Sequence, residues 1–115
     1  MNEIKAITEK ILKFRAERDW KQFHNHKDVA LSLVLEAAEV LEHFQWKSPQ
    51  EVDKHAVECK EELADELADV AIYLFELADN LKINLPLAID QKMVKNAKKY
   101  PVGKSKGRHT KYNKL

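Results

Sequence analysis

Two short segments of the chain each place a pair of carboxylates on an otherwise apolar helix. The first segment, EAAEVLEHFQW, contains Glu36 and Glu39, and the second, DELADVAIYL, contains Glu66 and Asp69. Residues three apart lie on the same face of an α-helix, so each pair points in one direction. If the two helices pack antiparallel, the four carboxylates converge on one place. Negative charges that close repel one another unless a cation lies among them, so the pattern predicts a metal site.

The composition favours an all-α fold. The chain has 115 residues, of which 44% are hydrophobic, and it contains only two glycines and three prolines. Strands joined by tight turns would require more of those turn residues, whereas a helical bundle does not. A chain of this length corresponds to one domain with a modest core. We expect a four-helix bundle over residues 1–101 and a basic C-terminal tail over 102–115.

Apolar periodicity and capping residues predict where the helices begin and end. The expected helices run over about 2–17, from a cap at Asn25 or Asp28 to about 45, over 49–81 with a break near 55–60, and from 84 or 85 to about 99. Ser48 and Pro49 are a favourable cap and first residue for the third helix. Apolar residues then follow at spacings of three and four, which predicts tight helix pairing. They are Leu63, Leu67, Val70, Leu74, Leu77 and Leu81.

The charge and cysteine content exclude several classes of partner and site. The net charge is only +1, which predicts no general attraction to nucleic acid or to a membrane surface. No apolar run approaches the roughly 18 residues of a membrane span, and no targeting segment is recognisable. Cys59 is the only cysteine, so neither an intrachain disulfide nor a cysteine-based zinc site is expected. We therefore expect a cytoplasmic protein without a nucleic-acid or membrane partner.

The acidic residues differ in how strongly their surroundings indicate a site. The first pair lies on a helix that is apolar on almost every other side, and burying unpaired carboxylates costs several kcal/mol each. A solvated face is therefore a poor explanation for that pair. On the partner helix, Glu62 and Glu76 extend the polar stripe of the second pair, and both fit a solvated face as well as a site. The tandem ELADELAD also offers Glu62 and Asp65 at the same spacing, an alternative that spacing alone leaves open.

The all-oxygen character of the predicted ligands favours Mg²⁺, or Mn²⁺, over zinc or copper. A di-iron bundle would place a glutamate three residues before a histidine, but Val40 precedes His43 and Val52 precedes His55. Mg²⁺ usually keeps coordination positions for substrate phosphates, so we expect a phosphorylated substrate. Because no P-loop motif is present, basic side chains are expected to contact the phosphates. The candidates are Lys92 and, in the tail, Lys104, Lys106, Arg108 and Lys111.

Four quoted segments carry a resemblance to a known family. EAAEV, FQWK, DELADVAIYL and LPLAIDQKMVKNAKKYP together resemble the MazG-like nucleoside triphosphate pyrophosphohydrolases, and within them the small dCTP-pyrophosphatase type, over roughly residues 17–112. The resemblance implies an all-α protein that assembles as a dimer or a dimer of dimers, with active sites where subunits pack. It implies Mg²⁺-dependent hydrolysis of a nucleoside triphosphate to the monophosphate and pyrophosphate, in the sanitation of nucleotide pools.

The resemblance also assigns roles residue by residue. The implied metal ligands are Glu36, Glu39, Glu66 and Asp69, because the segment VAIYL sets the register of the second pair. Glu36 or Glu39 would accept the proton of the attacking water. Tyr73, Lys92 and Asn96 match positions that contact the phosphates or the sugar, and Trp20, His24 and Trp46 match positions around the base. At Ile11 the vertebrate dCTP enzyme has a histidine, which leaves the preferred base open here.

Two other classes of protein would explain parts of the pattern. A non-catalytic helical interaction module would account for the leucine seam without any metal. A nucleic-acid-binding protein would use the basic tail together with the aromatic segment before the second helix. Against the second alternative, thirteen acids and three bases lie between Glu36 and Asp79.

Overall fold

All regular elements of the described residues, 2–114, are helical in the computed structural model, which confirms the all-α prediction. Short 3₁₀ turns at Lys21–Phe23 and Tyr112–Lys114 accompany the α-helices. The α-helices are α1 (Glu3–Glu17), α2 (His26–Glu42), α3 (Pro49–Glu58), α4 (Lys60–Asn80), α5 (Leu85–Lys99) and α6 (Val102–Ser105).

Side-chain caps determine where the helices begin. Asn25 Oδ1 accepts a hydrogen bond from the backbone N–H of Asp28 at 2.9 Å, so Asn25 is the cap of α2. Asn84 caps α5 in the same way. Ser48 forms a capping box at α3: its Oγ accepts from the N–H of Glu51, whose carboxylate accepts from the N–H of Ser48. These bonds satisfy backbone donors that a helix N-terminus otherwise leaves unpaired.

Two helix ends show where the sequence pattern was sufficient and where it was not. The long third segment breaks at Cys59, between α3 and α4, as expected. By contrast, α2 ends at Glu42, three residues before the expected end. The chain then forms a tighter turn, in which the N–H of Phe44 donates to the carbonyl of Leu41 three residues earlier. Trp46 adopts a left-handed conformation with φ of 64°.

The helix α4 is the central element of the first of two compact units, which divide between Lys82 and Ile83. It packs against α1, α2 and α3, most extensively against α2. Val29 of α2 is 1% exposed and Leu63 of α4 is also buried. Leu67, however, is 57% exposed, so the leucine seam is only partly covered by this chain.

The second unit contains α5, α6 and the last 3₁₀ turn. Within it the tail folds back locally, because Tyr112 lies edge-on to Tyr100 and the Nζ of Lys99 lies 4.8 Å from the Tyr112 ring centroid. The boundary between a domain over 1–101 and a tail over 102–115 stays a prediction. Across residues 2–114, no helix has the length and apolar character needed to cross a bilayer.

Replacement of Ser48 by Ala should lower the free energy of unfolding by about 1 kcal/mol, because α3 loses its capping box. Urea unfolding followed by circular dichroism measures the change. Gln50→Ala, at an exposed position in the same helical turn, is the matched control and should be nearly neutral. Equal stability of the Ser48 variant and the wild type would show that the cap contributes nothing.

Candidate active site

The structure brings the four predicted carboxylates together between α2 and α4. Burial raises the pKa of Glu36, a hydrogen bond that its protonated form donates to Glu39 raises it further, and the negative charges of Glu39, Asp69 and Glu66 add to the effect. The side chains of Glu62 and Asp65 are exposed, and neither is among the charges that raise this pKa. The register that includes Glu66 and Asp69 is therefore the one that faces Glu36.

Two oxygens of this cluster are buried without a partner. Oε2 of Glu36 and Oε2 of Glu66 are shielded from water, and neither accepts a hydrogen bond. Buried polar atoms are nearly always satisfied, and an unpaired carboxylate oxygen is costly. An oxygen-binding cation would satisfy both atoms, so the donor set fits Mg²⁺ or Mn²⁺.

The cluster is not a closed ligand shell in this conformation. Within residues 2–114, no three His, Cys, Asp or Glu side chains are already arranged around one point as metal ligands. Glu36 and Glu66 are half-buried, whereas Glu39 and Asp69 are exposed. The assignment of the four carboxylates as metal ligands stays a prediction.

Two histidines lie near Glu66: His43 at the C-terminal end of α2 and His55 on α3. The Nε2 of His43 lies 3.7 Å from Oε1 of Glu66, and the Nδ1 of His43 lies 2.7 Å from Nε2 of His55. One imidazole must donate to the other at that distance. From the sequence, both histidines were considered only as iron ligands, and the fold shows instead that they contact each other.

A cleft of about 350 Å³ lies beside the carboxylates, and four of the predicted site residues line it: Trp20, His24, Asp69 and Tyr73. Its other lining residues are Lys10, Ile11, Phe14, Arg15, Ile72 and Glu76. The Trp20 ring packs edge-on against Phe14 with centroids 5.8 Å apart. The volume and the largely apolar, aromatic walls are those of a small-molecule site.

Tyr73 lies between the carboxylates and the cleft. Burial raises the pKa of its phenol, and the charges of Glu36, Glu76 and Asp69 raise it further, while a hydrogen bond with Ser32 opposes them. The phenol therefore keeps its proton at neutral pH and remains a hydrogen-bond donor at the edge of the cleft.

The floor of the cleft is a buried charged network that the sequence did not reveal. Glu76, which fitted a solvated face equally well, is only 2% exposed. Its Oε1 lies 2.6 Å from Nδ1 of His24 and 3.6 Å from Nη1 of Arg15, and Arg15 also donates to Asn80 at 3.0 Å. One signal was available in the sequence. Ile4, Ile7 and Ile11 form an apolar stripe at helical spacing, and Arg15 occupies a position four residues further on, where another apolar residue is expected.

Three other residues were predicted to bind the substrate, one in the first unit and two in the second. Trp46 is 92% exposed and does not line the cleft. Lys92 is exposed and Asn96 half-buried, and both lie on α5, one turn apart. Their contacts with a substrate stay predictions.

Comparison with known proteins places the chain in a family. A model of the MazG-like family matches residues 31–115, so the chain belongs to the MazG-like family. It is 46% identical over 104 residues to dCTP pyrophosphatase 1 of Rattus norvegicus and 41% identical over the same length to that of Homo sapiens. In both cases the match covers 89% of this chain but only 61% of the relative. The chain thus spans about three fifths of the length of these mammalian relatives.

A solved structure has the same fold over most of both chains. The crystal structure of a pyrophosphatase from Archaeoglobus fulgidus matches with a TM-score of 0.84 and 38% identity, and the match covers 88% of this chain and 94% of that one. The resemblance inferred from the quoted segments is therefore confirmed at the level of family and fold.

In metal-free protein, Glu36→Gln should increase the free energy of unfolding at pH 7. Because the folded-state pKa of Glu36 is raised above about 4.5, its contribution to stability is fully present below that pH and is lost as pH rises through the raised value. Because the amide of Gln cannot ionise, the variant does not lose this stability at pH 7. The difference in unfolding free energy between variant and wild type should shrink towards zero below pH 4.5. Urea unfolding with a chelator at pH 4 and pH 7 measures it, with exposed Glu62→Gln as control. A gain of equal size at both pH values would contradict the account.

Proposed function

We propose that this protein is a nucleoside triphosphate pyrophosphohydrolase that converts a deoxynucleoside triphosphate to the monophosphate and pyrophosphate. The observation that carries the proposal is the pair of unpartnered buried oxygens on Glu36 and Glu66, which lie in a carboxylate cluster beside an aromatic cleft. The names of the mammalian relatives and of the archaeal structure support the same reaction class.

Glu36, Glu39, Glu66 and Asp69 would hold Mg²⁺, or Mn²⁺. When bound, such ions neutralise the triphosphate and lower the pKa of a coordinated water. The chain itself supplies the proton acceptor. Glu36 and Glu39 are the candidates, because both belong to the carboxylate cluster and a carboxylate that the metal does not fully engage can accept a proton from water.

The cleft would hold the nucleoside. Trp20 and Phe14 offer aromatic surfaces for stacking against a base, and His24 offers a polar contact. The Tyr73 hydroxyl would donate to the sugar or to a phosphate. Because Ile11 lines the cleft where the vertebrate enzyme has a histidine, the base is proposed only as that of dCTP or of a modified nucleotide. The cellular role would be sanitation of nucleotide pools in the cytoplasm.

A second copy of the chain would complete the site. The helix α2 exposes an apolar stripe at helical spacing, formed by Leu31, Val34, Leu35 and Leu41. A stripe of that kind normally packs against another element. A dimer, or a dimer of dimers, would cover it. Trp46, which is 92% exposed, would then reach the base site of the partner. Lys92, Asn96 and the basic tail would contact phosphates.

A non-catalytic helical interaction module is the weaker alternative. It would account for the apolar stripe and the leucine seam. It gives no reason for two carboxylate oxygens to be buried without partners, or for four carboxylates to face one another.

Glu39→Gln should lower the rate of pyrophosphate release at least 100-fold, because it removes both a ligand and a candidate base. The measurement is release from a panel of standard and modified deoxynucleoside triphosphates, with Mg²⁺, with Mn²⁺ and with a chelator. Glu62→Gln, an exposed position on α4 in the register that does not face Glu36, should retain the wild-type rate. Wild-type activity of the Glu39 variant on every nucleotide would overturn the site assignment.

Val34→Glu should convert the oligomer to monomer and abolish activity, because it places a charge in the apolar stripe of α2, where Val34 is 63% exposed. Light scattering after size exclusion gives the mass, and the same fractions give the activity. Glu42→Lys, a charge change on the same helix at an exposed position, is the control. A fully active monomer would show that the site needs no second copy.

A further inference from the structure

The charged floor of the cleft is built from three elements. Arg15 comes from α1, His24 from the segment before α2, and Glu76 from α4. Arg15 is 8% exposed and Glu76 2% exposed, so the pair lies almost entirely out of water. Asn80, one turn beyond Glu76, accepts from Arg15 and donates to the carbonyl of His24 at 3.4 Å. The Asn80 side chain therefore holds His24 and Arg15 in a fixed relation to Glu76.

These contacts determine which nitrogen of His24 carries hydrogen. The Nδ1 lies 2.6 Å from Oε1 and 3.1 Å from Oε2 of Glu76. An ionised carboxylate only accepts hydrogen bonds, so Nδ1 must be the donor. The ring orientation is then set by Glu76, and Nε2 is the nitrogen left for whatever occupies the cleft.

Arg15 determines the charge of this arrangement. Its guanidinium lies 3.6 Å from Glu76 and balances the single buried negative charge. The pair is neutral without a second proton on His24. The network therefore does not require Nε2 to carry hydrogen, and an Nε2 without hydrogen accepts hydrogen bonds.

We propose that Glu76, balanced by Arg15, is a positioning residue that makes His24 Nε2 an acceptor for an exocyclic amino group of the nucleobase. This inference rests on the proposed function and names the feature of the substrate that the cleft selects. An amino-bearing base such as cytosine donates to Nε2. Its oxo counterpart, uracil, would instead set oxygen lone pairs against the nitrogen lone pair, which leaves both groups unpaired in an apolar cleft.

The double variant Arg15→Met, Glu76→Leu tests the proposal without leaving a buried charge unpaired, since apolar residues of similar volume often replace a buried ion pair without loss of stability. The ¹⁵N spectrum of histidine-labelled protein reports which ring nitrogen of His24 carries hydrogen. The wild type should show hydrogen on Nδ1 and none on Nε2. The double variant should lose this preference, and its ratio of kcat/KM for dCTP over dUTP should fall about tenfold.

Two further variants make the result specific. Lys54→Met, Glu58→Leu removes an exposed ion pair of 3.8 Å and should change neither the spectrum nor the ratio. Glu76→Gln keeps an acceptor oxygen for Nδ1 and should retain the tautomer and most of the selectivity, whereas the Leu of the double variant keeps similar volume without that oxygen. Hydrogen on Nε2 of the wild type, or an unchanged tautomer and ratio in the double variant, would overturn the proposal.

The outcomes separate this inference from the proposed function. A wild type that hydrolyses both nucleotides, with a ratio that the double variant leaves unchanged, contradicts only the role of Glu76. A wild type that hydrolyses neither nucleotide, nor any other triphosphate, contradicts the proposed function and the base-reading role with it.

Discussion

Negative charge concentrated between α2 and α4 is the constraint on which the rest of the structure depends. These two helices form the most extensive packing of the first unit, yet their facing surfaces place Glu36 among Glu39, Glu66 and Asp69. Apolar packing draws the helices together while the carboxylates repel one another, and two carboxylate oxygens are left buried without donors. The proposed cation would reconcile these opposing requirements, because it would replace both the missing hydrogen bonds and the missing positive charge.

The polar residues of the candidate site lie on one face of α4, on successive turns of the helix. Glu66 is approached by His43 from α2, which His55 contacts from α3. One and two turns on, Asp69 and Tyr73 border both the carboxylate cluster and the cleft. A further turn on, Glu76 meets Arg15 and His24 at the floor of the cleft. The spacing of three and four residues thus places the proposed metal ligands and the proposed base contacts towards opposite ends of one polar stripe.

The sequence predicted those features that depend on neighbours along the chain. The cap at Ser48 could be located because a capping bond joins residues three apart, whereas Asn25 and Asn84 were each one of two candidates. The two carboxylate pairs were recognisable for the same reason. The Arg15–Glu76 contact joins residues far apart in sequence, and neither residue alone distinguishes a buried pair from two solvated charges. The early end of α2 was also beyond prediction, since nothing in the sequence requires Trp46 to adopt a positive φ.

The central claim, that the four carboxylates hold the catalytic metal, is tested most directly by the anomalous scattering of Mn²⁺. Crystals of the wild type grown with Mn²⁺ and a non-hydrolysable deoxynucleoside triphosphate should show an anomalous peak enclosed by Glu36, Glu39, Glu66 and Asp69, with the triphosphate at its open side. A peak at Glu62 and Asp65, or at His43 and His55, with none among the four carboxylates, would contradict the account.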